Sequence, residues 1–179
     1  MIRYPNTATV DVDAYHDNIR TALAALFREA KTVGCYERLD GLPAVPALIF
    51  GLTEITPEPD VGTEQVAVAF HWDAYFFADA VDDSASRRTA FALAARLLAF
   101  LKPGERFGVP VDSPQVEGAF PETVSFGGDA AGGWNNASAF SCVRVSWTQR
   151  GFLGENVHED APAGTPLFKE GIPERKDAR

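Results

Sequence analysis

No stretch of this chain approaches the roughly 18 uninterrupted apolar residues that a bilayer-spanning helix requires, and its first 30 residues hold no basic segment followed by an apolar run. The expectation is a protein that is neither membrane-inserted nor exported by such a leader. Cysteine is scarce: Cys35 and Cys142 stand far apart, and neither belongs to a CxxC or Cys/His cluster. Two buried free thiols in a reducing cytoplasm are expected. Positive charge is short as well, with 16 Lys and Arg against 25 Asp and Glu and a formal charge of −9. Such a surface repels a phosphate backbone, so a tight reader of DNA or RNA is not expected, whereas a wall past which DNA only slides does well to be acidic.

The usual carriers of catalysis are missing too. His16, His71 and His158 are scattered, and none has another ligand at metal-binding spacing. There is no GxSxG, no Walker loop and no GxGxxG after a strand. The glycines at 127, 128, 132 and 133 lack the following Lys and Ser/Thr and lead into a strand, so they read as a loop. Glu54 with Glu58, and Asp82 with Asp83, sit in or beside turns, where solvated acids are common. Trp72, Trp134 and Trp147 read as core or interface anchors. The expectation is a non-enzyme with no cofactor and no metal. The alternative of another class is a small-molecule-binding or hydrolytic protein with a pocket lined by His71, Trp72 and Tyr75.

What is present is an ordinary globular composition, 46% hydrophobic and 23% charged over 179 residues, enough for one core with extensions. Residues 11–32 repeat apolar positions at three- and four-residue steps (Tyr15, Ile19, Leu23, Phe27), which predicts an amphipathic helix with acids near its start and Gly34 as its stop. Residues 47–55 read as a buried strand, residues 57–62 as a Pro/Gly turn, and 63–77 as a second strand forming an antiparallel hairpin with the first. Residues 84–102 predict a second helix whose apolar surface is wide enough to be covered on more than one side. Strand-like segments follow at 115–126 and 137–149 with a Gly/Asn-rich loop between them. The fold class expected is α+β, a mainly antiparallel sheet packed by two principal helices, as one domain over 1–149 with an extended C-terminal tail over 150–179.

This order of parts, an amphipathic helix, a Pro-flanked strand at 45–55, an acidic turn, a long strand at 65–77, an Ala/Leu-rich helix and a late strand ending near Val143-Arg144-Val145-Ser146-Trp147, resembles the tail terminator (tail completion) proteins of long-tailed bacteriophages, including the minor tail proteins of Mu-like phages. The resemblance covers roughly residues 11–149, and the acidic, Pro-rich segment after Arg150 departs from the shorter family pattern. It implies a virion protein, made in the host cytoplasm, that forms a ring, usually of six copies, at the head-proximal end of the tail tube. Such a ring stops tube growth, joins the head or neck, and lets DNA through its lumen without specific binding. A head-tail joining neck protein is the related alternative. The partners implied are other copies of the chain, the tail tube protein and a head-tail connector, and no membrane. For contacts between subunits the candidates are Arg87, Arg88, Phe91 and Arg96 on the second helix against Glu54, Glu58 and Asp60 near the turn. For axial partners they are Arg106, Phe107, Trp134, Phe152, Leu153, Leu167 and Phe168.

Overall fold

The structure, a computed structural model, describes residues 8–35, 43–59, 65–78, 84–126 and 138–154. Within these, the elements run α1 (Val12–Leu26), β1 (Thr32–Cys35), β2 (Ala47–Pro57), β3 (Val66–Phe77), α2 (Ser84–Phe100), β4 (Gln115–Phe126) and β5 (Ser138–Leu153). The five strands form one mixed sheet in the order β1-β2-β3-β5-β4, with β1 parallel to β2 and every other pair antiparallel. The fold is α+β, with two helices on a mainly antiparallel sheet, and β2 and β3 pair as the expected hairpin.

Helix α1 begins where Asp11 accepts a hydrogen bond from the Ala14 backbone N–H at 3.0 Å, which satisfies one of the free donors of the first turn. Its apolar stripe buries Tyr15, Ile19 and Leu23, and the chain leaves the helix at Phe27. It is shorter than expected because residues 32–35 belong to β1, so Gly34 lies in a strand and is not the helix stop. Helix α2 buries Ser86, Ala90, Leu93, Ala94 and Leu97 and packs on β5, β4 and β3.

Both helices cover the same face of the sheet. Period-two alternation sends Leu48 and Phe50 of β2, Phe70, Trp72, Ala74 and Phe76 of β3, and Val143, Val145 and Trp147 of β5 into one core with them. Tyr15 meets Phe70 and Trp72 edge-on at 5.6 and 5.0 Å, and Trp72 stacks on Trp147 at 6.2 Å between centroids. Arg96 of α2 fastens the helix layer: it pairs with Glu29, donates to the Leu26 carbonyl at 2.6 Å, and lies 5.0 Å over the Phe27 ring. Both thiols, Cys35 and Cys142, are buried, as expected, and no disulfide forms among the described residues.

Strand β5 continues through Leu153, with Arg150 opposite Ala69 and Leu153 opposite Val66, so the sheet runs four residues past the expected boundary at 150. Residues 155–179 lie outside the described residues. At its other margin, β4 carries a bulge between Val116 and Gly118, where Gly118 takes φ +147°, and Pro121 stands in mid-strand.

Candidate functional site

The face of the sheet turned away from the helices is polar through its middle. The alternation that aims Trp72 at the core aims His71 and Asp73 the other way, and on β5 it does the same for Arg144, Ser146, Thr148 and Arg150. Asp73, nearly buried, accepts from the Ser146 hydroxyl at 2.5 Å and from Arg144 at 3.4 Å. Arg144 in turn lies 2.6 Å from Glu122 of β4 and 5.5 Å over the Phe120 ring. One guanidinium therefore links three strands and compensates two carboxylates.

A second group centres on His71. Its Nε2 is 2.9 Å from the Thr56 hydroxyl and its Nδ1 3.1 Å from that of Thr148, which donates to Glu117 at 3.3 Å. The polarity of this line follows from counting protons. Thr148 has one hydroxyl proton and gives it to Glu117, so it accepts from Nδ1–H. In the neutral ring Nε2 is then bare, and Thr56 donates to it. Together with Glu58, Ala69, Gln115, Val116 and Arg150 these residues line an open depression of about 370 Å³. Arg150 and Glu58 face each other across it at 3.4 Å.

The expected pocket of His71, Trp72 and Tyr75 is therefore corrected in its membership. Trp72 is 1% exposed and belongs to the core on the opposite face, because neighbouring residues of a strand point to opposite sides. Tyr75 hydrogen-bonds Asp73 and stacks near Phe77, away from the depression. Thr56, Gln115, Glu117, Thr148 and Arg150 take their places. The run Arg144, Ser146, Thr148, Arg150 at every second position was the sequence signal for this face, but strand order was needed to bring Thr56 and Glu117 to it.

The residues expected at subunit contacts divide into three groups. Arg87, Arg88 and Phe91 lie exposed on α2, and Glu54 is exposed on β2. Arg96 and Glu58 are engaged within the chain, by α1 and by Arg150 respectively. Asp60 lies outside the described residues. Of the axial candidates, Arg106 is exposed. Phe107 is corrected: it is 5% exposed and wedged between Phe100, Tyr15 and Trp147, a core residue that no partner can touch. Phe152 and Leu153 are half-buried in β5 and are not tail anchors, since the Phe152 carbonyl accepts from Val10 N–H at 2.8 Å and Leu153 packs on the core. Trp134, Leu167 and Phe168 lie outside the described residues.

A scan of the chain against protein-family models finds no matching family, and a search of curated proteins finds no match to it.

Proposed function

We propose that this chain is a structural virion protein, a tail terminator whose copies form a ring on the head-proximal end of a phage tail tube, stop its growth and carry the joint to the head or neck. The observation that supports this reading is the one-sided sheet. Both helices sit on one face, while the other presents, among the described residues, Glu54, Glu58, Glu117 and Glu122 against Arg144 and Arg150, with Asp73 buried beneath Arg144. A broad, ordered, acid-rich face suits the wall of a channel through which DNA passes without being held, because like charge keeps the phosphates off it. The role is steric and stoichiometric: one side of the ring mimics the next tube layer, and the other lacks what a further tube subunit needs. Its partners are the tube protein and a neck protein. Light scattering coupled to size exclusion tests the reading, on the protein alone and with tail tubes. A discrete ring-sized particle, or assembly at tube ends only, is the expected result, and a persistent monomer indifferent to tubes rejects it.

A second reading has its own observation, the depression beside His71. The line Thr56, His71, Thr148, Glu117 directs the Thr56 proton at Nε2, the arrangement in which an imidazole acts as base toward a hydroxyl. A small-molecule-binding or hydrolytic role would use it. Hydrolysis of p-nitrophenyl acetate that is lost in both Thr56→Ala and His71→Ala supports this reading, and a rate equal in wild type and variants rejects the hydrolytic form of it.

A further inference from the structure

We infer that the depression beside His71 binds a small zwitterion, an α-amino acid with an apolar side chain; this rests on the small-molecule reading above and not on the ring. The hollow exists because β3 sets Ala69 on the outer face between Thr56 of β2 and Arg150 of β5, where a longer side chain would fill it. Its volume of about 370 Å³ stands near the lower end of ligand pockets, about 300–1,000 Å³. Its walls hold three groups whose hydrogen-bonding capacity the fold does not exhaust. Arg150 meets Glu58 through Nε at 3.4 Å, and neither of its Nη groups has a hydrogen bond or ion pair among the described residues. Glu117 takes the Thr148 proton on Oε1, which leaves Oε2 unengaged. The Gln115 side-chain amide, both donor and acceptor, has no partner among the described residues.

The two charged groups are opposite in sign and stand on different strands, Arg150 on β5 and Glu117 on β4. Paired guanidinium nitrogens form the fork that grips a carboxylate with two parallel bonds, and a carboxylate oxygen accepts from an ammonium. Gln115 serves either end. Glu58 and Glu117 on the walls, with Glu54 opposite His71 in the sheet, repel a bare anion. A bare cation leaves the Nη groups of Arg150 unmatched. A ligand that carries both charges close together uses both walls. Val116, 38% exposed on the β4 wall, offers an apolar side chain a surface to cover. His71, Thr56 and Thr148 satisfy one another in the floor, so the walls set which way round the ligand lies.

Proton–nitrogen correlation spectra of the full-length protein, titrated with L-leucine, N-acetyl-L-leucine and L-leucinamide, test it. At about pH 7, where an α-amino group stays mostly protonated, the three share a side chain and differ as zwitterion, anion and cation. Leucine is expected to shift the resonances of residues 71, 115–117 and 148–150 saturably, and each blocked form to bind about tenfold more weakly. Arg150→Gln should bring leucine down to the affinity of leucinamide, and Glu117→Gln down to that of N-acetyl-leucine. Both changes are at exposed positions and are checked for an unchanged melting temperature. A blocked form that binds these residues as tightly as leucine, or a variant that holds leucine as wild type does, overturns the zwitterion and leaves the small-molecule reading standing. No saturable shift at these residues with any of the three overturns the inference, and hydrolysis of p-nitrophenyl acetate then judges the reading beneath it separately.

Discussion

Gly151 of β5 lies directly beneath Val10: a Cβ added at 151 would fall 2.7 Å from the Val10 Cγ2, with Phe70 at 3.2 Å and Val111 at 3.3 Å around it. The segment before α1 is laid across the end of β5 here, through the Val10 N–H to the Phe152 carbonyl at 2.8 Å. Gly151→Ala must therefore push apart a packed core or lift the N-terminal segment. The expected cost is about 1–3 kcal/mol, read as a fall in the denaturant midpoint with an unchanged m value. A midpoint equal to wild type shows that Val10 gives way freely.

Phe107 and Arg106 are neighbours with opposite fates, one in the core and one in solvent. Phe107 also holds φ at 50°, with Gly108 at 70° beside it, so the turn is shaped to drive the ring inward. Phe107→Ala is expected to lose about 3–5 kcal/mol of stability, whereas Arg106→Ala stays within about 0.5 kcal/mol. Chemical denaturation of the pair checks both. A Phe107→Ala protein as stable as wild type contradicts its place in the core.

Stability should decline in alkali. Burial, helped by Glu122 and opposed by Arg144, pushes the Cys142 thiol up from 9.0 to about 12, and burial raises the Tyr15 phenol above its ordinary 10.0. Both groups keep their protons in the fold at a pH where the unfolded chain releases them. Ionisation therefore favours the unfolded state. The contribution is intact below about pH 9 and is lost as pH rises toward 12, with Tyr15 adding to the loss above 10. The slope is at most about 1.4 kcal/mol per pH unit for each group. Melting temperatures measured from pH 8 to 11 should fall, and Cys142→Ala should flatten the first part of the fall.

The two Thr hydroxyls around His71 tie β2, β3, β4 and β5 along one line. Thr148→Val keeps the side-chain shape but leaves Nδ1 and Glu117 without this partner. Because the site is only half-buried, water replaces part of what is lost, and a cost of about 0.5–1.5 kcal/mol is expected. A double-mutant cycle with His71→Ala should show coupling between the two positions. Strict additivity would mean that the 3.1 Å contact contributes nothing.

The parts legible in the sequence were those with a long, one-sided pattern. The repeat through Tyr15, Ile19 and Leu23 identifies α1, and β4 matched its expected span because glycine-rich sequence follows Phe126. Strand β1 was missed because it has four residues, too few to show alternation, and its Gly34 imitates a helix stop. The error at Phe107 has a related origin: between Pro103 and Pro110 an aromatic residue looks like a loop anchor until a positive φ turns it inward. Of the residues named for subunit contacts, Arg87, Arg88, Phe91 and Glu54 are exposed, although Phe91 continues the apolar pattern of α2 and the sequence carries no sign of which side of that pattern is left open. The group at His71 was not legible, because residues 56, 71, 117 and 148 become neighbours only through the order β2-β3-β5-β4 and the bulge that presents Glu117.

The outer margin of β4 bears on how copies of this chain can meet at high concentration. With a bulge after Val116, a glycine at φ +147°, and Pro121 lacking an N–H, this margin offers a second strand no regular ladder to grow on. Stacking edge to edge into ribbons or fibres is discouraged there by the backbone itself. What remains at β4 is contact through side chains, which is geometrically selective, so association at this margin should give bounded particles before it gives sheets of indefinite length.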